Sequence, residues 1–235
     1  MGSQAAKPTC LLLHGALGSA EQVADLASRL DDSLDVYSYN FPGHGGLPIP
    51  SEGLDMGLMR NALVAYLEKN FHEPVLVFGY SMGGYLAMSV AATRPELIRG
   101  LITLGTKWDW SPEISAQEVK MLDPVIMTEK VPALAELLKE RHAPTNWQDV
   151  VEATAKMLKQ LGIRPLFNEA DLQGINIPIF ILRGSADRML SDAESFKVAN
   201  LVRNGQYAEL PDQKHPFEQV NLELLTPWFQ ELVKM

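Results

Sequence analysis

The stretch Val75–Met88, VLVFGYSMGGYLAM, decides the fold. Its first six residues form a short apolar run of the kind that makes a strand buried on both faces. From Met82 onward the pattern is helical. Between them stands Ser81, with Gly79 and Gly83 two residues to either side. A helix start is ordinarily capped by Ser, Thr, Asp or Asn without flanking glycines. A G-x-S-x-G at a strand-to-helix junction predicts a tight turn that holds the serine in strained backbone geometry and pushes its hydroxyl into the open. The new helix also aims unpaired N–H groups and its positive dipole end at any oxyanion forming beside Ser81.

Working outward, apolar runs alternate with helical segments, the mark of a parallel sheet covered by helices. Strands are expected at Thr9–His14, Asp35–Asn40, Val75–Tyr80, Leu101–Gly105, Ile179–Arg183 and Gln206–Leu210. Helices are expected at about Ala20–Leu30, Met56–Asn70, Met82–Thr93, Asp192–Leu201 and Pro216–Lys234. The last carries Phe217, Val220, Leu224, Trp228 and Leu232 on one stripe. Thr106 to about Gly174 offers no strand. It carries helical spacing over Val131–Arg141 and over Asn146–Leu161, where Trp147, Val150, Val151, Thr154, Leu158 and Leu161 share a face. Pro124, Pro132, Pro144 and Pro165 punctuate it. So long a connection is expected to be a lid or binding element, dividing the chain into a core of 1–105 and 175–235 and a helical cap of 106–174.

The chain has 235 residues, 46% hydrophobic and 21% charged, with a net charge of −9. That acidity argues against nucleic acid and anionic membrane surfaces. No apolar stretch approaches the roughly 20 residues that span a bilayer. The start, MGSQAAKP, lacks the apolar region of a secretory signal, and Ala6 stands where a myristoylation signal has Ser or Thr. Cys10, the single cysteine, lies in an apolar run and is expected to be a packed thiol. A cytoplasmic location is expected. Oligomeric state cannot be read from the sequence.

A serine hydroxyl needs a base. Of five histidines, His72 and His142 fall in polar or lid segments and are expected at the surface, while His14 is expected to fix its own loop. His215, between the last strand and the last helix, falls where such a sheet presents its ligand-binding edge and is the expected base; His44 is the rival. Asp187 follows the strand Ile179–Arg183 and is the expected acid, with Asp212 the alternative. An oxyanion needs two backbone donors, each worth about 2.7–4 kcal/mol of barrier. Met82 is expected to supply one and Ala16, or as second choice Leu17, the other.

The segments LLLHGALGS, NFPGHGG, VFGYSMGGYLAM, ILRGSADR and KHPFEQ, in this order and spacing, resemble the α/β-hydrolase superfamily over nearly the whole chain. The order Ser81, Asp187, His215 agrees with that family. The resemblance implies an α/β-hydrolase fold with a mostly parallel sheet and the helical cap at 106–174. Only about a dozen residues precede the His14-Gly15 pair, so a sheet of about six strands is expected. GYSMGG also occurs in a menaquinone-pathway synthase of the family, but Tyr85 replaces the arginine that follows it there, which weakens that reading.

Acyl transfer to water is the expected chemistry, on a small to medium ester with an apolar acyl group. Leu17, Tyr85, Trp108, Trp110, Met121, Met127, Trp147 and Met189 are candidates to line the pocket, with packing among themselves as the alternative. Lys107, Arg183 and Arg188 could instead meet an acid group. The scattered histidines suggest no metal, and no glycine-rich phosphate loop suggests a nucleotide, so no cofactor is expected. A lyase, C–C hydrolase or perhydrolase on the same residues, or a hydrolase-derived ligand receptor, remains open.

Overall fold

The computed structural model describes residues 6–235. The reading of MGSQAAKP therefore falls, in its first five residues, outside the described chain.

The run Val75–Tyr80 forms strand β3, buried along its length. It pairs with β1 (Thr9–Leu13) on one side and β4 (Ile98–Leu104) on the other, Val77 standing opposite both Leu11 and Leu101. With β2 (Asp35–Tyr39), β5 (Ile179–Gly184) and β6 (Gly205–Leu210), the described residues form a six-stranded parallel sheet, ordered β2-β1-β3-β4-β5-β6. The chain reverses its direction of travel across the sheet between β1 and β3, and crevices of this kind, at the carboxyl ends of the strands, hold ligands in open α/β sheets.

Alternate side chains of the strands feed two cores, as the two-residue period of a strand requires. Leu11, Leu13, Val75, Val77, Leu101, Ile179 and Ile181 pack with helices α2 (Met56–Asn70), α3 (Met82–Thr93) and α9 (Asp192–Leu201). Cys10, Leu12, Leu76, Phe78, Ile102, Phe180 and Leu182 pack on the opposite face with α1 (Ala24–Leu30) and α10 (Thr226–Lys234). Cys10 is fully buried, and burial pushes its thiol pKa up.

β4 and β5 are joined by α4 (Pro112–Glu118), α5 (Pro124–Lys130), α6 (Pro132–His142), α7 (Trp147–Ile163) and α8 (Glu169–Gln173). The apolar face expected on α7 is the buried one. Pro124 and Pro132, expected to punctuate the segment, instead open helices, as does Pro112. A proline at the first position surrenders only an N–H that has no helical partner anyway. The side chains of Ser111 and Asp123 cap α4 and α5.

Two expectations are corrected. The stretch Pro216–Lys234 is not one helix. Two 3₁₀ turns, Phe217–Gln219 and Leu222–Leu224, precede α10, which begins beside Pro227. Proline cannot donate to the preceding turn, Asn221 caps the N–H of Glu223, and Gln213 Oε1 accepts the Asn221 N–H at 2.7 Å. Leu225 and Phe229, outside the expected stripe, are buried, whereas Leu224 and Trp228 are half-covered. His142 is fully buried rather than at the surface, because the loops after β1 and β2 close over it; His72 is exposed as expected. Among the described residues no helix is long and apolar enough to cross a membrane.

Candidate active site

β3 ends in the turn that carries Ser81, at φ 51° and ψ −116°, in the left-handed half of backbone space that a residue with a side chain seldom adopts. Both neighbouring glycines are steric necessities. A Cβ on Gly79 would stand 2.5 Å from the Cα and N of Gly84, and one on Gly83 would stand 2.7 Å from the carbonyl oxygens of Leu13 and His14. The turn is pinned to the end of β4: Ser81 N–H donates to Leu104 O at 2.8 Å, and Thr106 Oγ1 donates to Ser81 O at 3.1 Å. Ser81 is half-exposed at the carboxyl rim of the sheet.

At the same rim, His215 Nδ1 lies 2.7 Å from Asp187 Oδ2. The Asp187 carboxylate is 1% exposed, and its Oδ1 accepts the Met189 N–H at 2.8 Å. The loops bearing the two residues are stitched together by Ala186 N–H to Gln213 O at 3.0 Å and Asp212 N–H to Ser185 Oγ at 2.7 Å. Asp212 contributes this backbone bond and is itself exposed. Tyr80, next to Ser81, donates its hydroxyl to the His215 carbonyl at 2.8 Å, which fixes the histidine loop against β3. With Nδ1–H given to the carboxylate, Nε2 carries the free lone pair. Ser81 Oγ makes no hydrogen bond within 3.5 Å among the described residues. Such a contact is commonly loose until substrate tightens it.

Gly15 to Gly18 make a turn closed by Gly18 N–H to Gly15 O at 3.0 Å, with Leu17 at φ 58°. The turn abuts the serine: a Cβ on Gly15 would lie 3.3 Å from Ser81 Cβ. The N–H groups of Ala16, Leu17 and Met82 have no acceptor among the described residues, so this corner holds free backbone donors beside the hydroxyl.

Three of the other histidines, His14, His44 and His142, form a buried cluster. His14 Nδ1 is 2.7 Å from Gly15 O and its Nε2 accepts the Phe41 N–H at 3.2 Å, which fixes the loop. His44 Nδ1 is 3.0 Å from Pro42 O, and its ring lies between those of His14 and His142. His142 Nδ1 accepts the Gly45 N–H at 3.2 Å. Burial lowers all three pKa values, those of His44 and His142 to about 4, with His44 adding to the effect on His142.

The pocket candidates are divided. Leu17, Met127 and Trp147 pack in one cluster with Leu138, Val150 and Val151. Tyr85 is buried, its hydroxyl accepting the Leu166 N–H at 3.1 Å and its ring lying on Phe167. Trp108 is buried and Trp110 half-buried beside it in the core under α3, while Met121 and Met189 are exposed. Of the three cations, Arg183 is buried and braces the Asp187 loop, donating to Asp187 O at 2.9 Å and pairing with Glu209 at 2.7 Å. Lys107 donates to Met189 O at 2.9 Å and pairs with Glu118 at 3.4 Å. Arg188 is exposed. Sequence reasoning missed the roles of Tyr80 and Arg183; a charged residue inside the apolar run of β5 was the available signal for the second.

Comparison with known proteins agrees with this fold. A family model described as the alpha/beta hydrolase fold matches residues 8–143. The pimeloyl-[acyl-carrier protein] methyl ester esterase of Stenotrophomonas maltophilia is 26% identical, over 89% of this chain and 87% of its own. The 2-(acetamidomethylene)succinate hydrolase of Mesorhizobium japonicum is 21% identical, over 92% of this chain and 84% of its own. Among solved structures, NosK from Streptomyces actuosus superposes with a TM-score of 0.83 at 23% identity, covering 97% of this chain and 98% of its own.

Proposed function

We propose that this chain, which belongs to the α/β-hydrolase fold family, is a serine hydrolase of carboxylic esters. Ser81 is the nucleophile, His215 the general base and acid, and Asp187 the carboxylate that orients the imidazole and stabilises its charged form. The 2.7 Å contact between His215 Nδ1 and Asp187 Oδ2, beside a serine held at positive φ, carries this reading. In the reaction, the Oγ–H proton passes to His215 Nε2 as Oγ attacks the ester carbonyl. The tetrahedral oxyanion takes hydrogen bonds from the N–H groups of Met82 and Ala16. Its collapse expels the alcohol, which leaves with the proton from His215. Water, activated by the same imidazole, then releases the acid and restores the serine. Asp187 stays ionised throughout.

The helices between β4 and β5 act as the cap over this centre, 106–174 against a core of 1–105 and 175–235. A small to medium acyl group of apolar character is the favoured substrate. Lys107 and Arg183 are both committed to protein partners, so that of the three cations only the exposed Arg188 is left to receive an acid group. The esterase of Stenotrophomonas maltophilia, by its name a methyl ester esterase, is similar along most of both chains and supports ester cleavage as the reaction. A cytoplasmic location belongs to the same proposal.

Labelling with a fluorophosphonate, and turnover of a panel of p-nitrophenyl esters, test it. Wild type is expected to label at Ser81 and to turn over short acyl esters repeatedly, and Ser81→Ala to do neither. Turnover that survives in Ser81→Ala would overturn the reading. Slow single turnover with retained ligand would favour a receptor, and weak esterase rates with a carbon–carbon cleavage product would favour the lyase-type alternatives.

A further inference from the structure

The last turn of α6 reaches the turn beside Ser81 through one side chain. Arg141, 10% exposed, donates Nη1 to Leu17 O at 3.1 Å and Nη2 to Glu218 Oε1 at 2.9 Å. Leu17 follows Ala16 in the Gly15–Gly18 turn, and Glu218 lies three residues after His215. Glu218 Oε1 also accepts Gln22 Nε2 at 3.0 Å, and Gln22 Oε1 accepts the Gly15 N–H at 3.3 Å. A continuous chain of hydrogen bonds thus runs from the Gly15 N–H through Gln22, Glu218 and Arg141 to the Leu17 carbonyl. It grips the turn at both flanks.

The turn needs such a grip. Leu17 sits at φ 58°, a conformation that persists only where surroundings over-determine it. The peptide joining Leu17 to Gly18 is held at both ends, its N–H by Gly15 O and its carbonyl by Arg141. That leaves the Leu17 and Ala16 N–H groups facing no protein acceptor, one and two peptides away from the clamp.

We propose that Arg141 is a positioning residue that holds the Gly15–Gly18 turn in the geometry that stabilises the oxyanion, so that seating of the helical connection on the sheet and transition-state stabilisation are coupled. The inference rests on the serine-hydrolase reading. The planar guanidinium is suited to the task because its fork spans two acceptors on separate chain segments, which a lysine ammonium on one flexible stem does not. Misplacement of a catalytic donor by about 1 Å can cost about 10²-fold in rate. Loss of the clamp should therefore appear in kcat rather than in substrate binding.

The test uses wild type, Arg141→Ala, Arg141→Lys and Glu218→Gln, assayed on the best p-nitrophenyl ester, with active sites titrated by a fluorophosphonate. Arg141→Ala is expected to lower kcat about 10- to 100-fold with KM within about threefold. Methylguanidine in the assay should restore at least fivefold of that loss, whereas Arg141→Lys should recover little. Glu218→Gln, which keeps the arginine and weakens its anchor, should lower kcat by about three- to tenfold with KM unchanged, and it serves if Arg141→Ala does not fold. A folded Arg141→Ala whose kcat stays within twofold of wild type overturns the proposal, as does a loss of rate that methylguanidine leaves untouched. If Arg141→Ala does not fold, a Glu218→Gln with wild-type kcat overturns it. Either result, obtained alongside normal labelling of Ser81 in wild type, leaves the serine-hydrolase reading standing. If wild type does not label and Ser81→Ala still turns over, both fall together.

Discussion

His215 Nδ1 lies 2.7 Å from Asp187 Oδ2 across a separation of 28 residues, and the carboxylate it meets is all but sealed from solvent. A buried carboxylate with one oxygen on a backbone N–H and the other on an imidazole fixes the tautomer of that imidazole. Asp187→Asn is near-isosteric, but its amide can turn a donor toward Nδ1 and leave the proton on Nε2, where a base is needed. On the proposed mechanism kcat should fall about 10⁴-fold with little change in KM. A steady-state comparison at pH 8 checks this, and a loss under tenfold would remove Asp187 from the mechanism.

The strain at Ser81 gives an independent handle. A left-handed non-glycine residue costs of order 1–3 kcal/mol, and glycine adopts the same φ freely while losing roughly 0.5–1 kcal/mol more chain entropy on folding. Ser81→Gly should therefore be more stable than wild type by roughly 0.5–2 kcal/mol and inactive. Urea unfolding midpoints measure the difference; a destabilised variant would mean the backbone at φ 51° is unstrained.

The glycines flanking the serine make a sharper steric prediction. The Cβ of Gly83→Ala would meet two backbone carbonyls at 2.7 Å, and that of Gly79→Ala the backbone of Gly84 at 2.5 Å. Backbone cannot rotate aside, so each variant should lose about 3 kcal/mol, at the upper end of the usual overpacking cost, and most of its activity. Gly53→Ala is the control: its φ of 87° is unfavourable for alanine, but nothing lies within 4 Å of the new methyl. It should cost about 1–2 kcal/mol. Equal losses at the three positions would deny the close approach at the turn.

These relationships were legible in the sequence to different depths. The strand β3 and the helices α2, α3 and α9 match their expected bounds, because fully buried parallel strands read as apolar runs and caps such as Asp55 and Ser191 mark helix starts locally. The segment after Pro216 misled because its apolar spacing is nearly helical, while Pro227 and the side chains of Gln213 and Asn221 decide where helix can begin. His142 was misplaced because what buries it, His44 and Gly45, lies about a hundred residues away in the chain. The same limit hid Arg141 and Glu218: each looks like an ordinary surface charge until the fold brings them to the turn at Leu17. Of the proposed triad, residue type and position at strand ends were readable, and the contact distances were not.

The pH dependence of stability should carry two opposed contributions that variants can separate. Burial raises the Glu194 carboxyl from 4.5 to about 7, opposed by Lys107 and reinforced by Asp109 and Glu118. A folded pKa above the unfolded one means that the native state holds more protons between about pH 4.5 and 7, so this contribution to stability is present at low pH and lost as pH rises through that window. Burial lowers His44 and His142 from 6.5 to about 4, so in the unfolded state they take up protons first, and their contribution is lost as pH falls from 6.5 toward 4. Glu194→Gln removes the first effect alone. Relative to wild type it should be nearly neutral at pH 4 and more stable by about 1–3 kcal/mol at pH 8, with a steeper rise in stability between them. His142→Gln should do the reverse at the acid end, narrowing its deficit against wild type as pH falls from 7 to 4. Urea unfolding midpoints of the three proteins at pH 4, 5.5, 7 and 8 are the measurement; a Glu194→Gln difference that does not change with pH would show that this carboxyl titrates alike in both states.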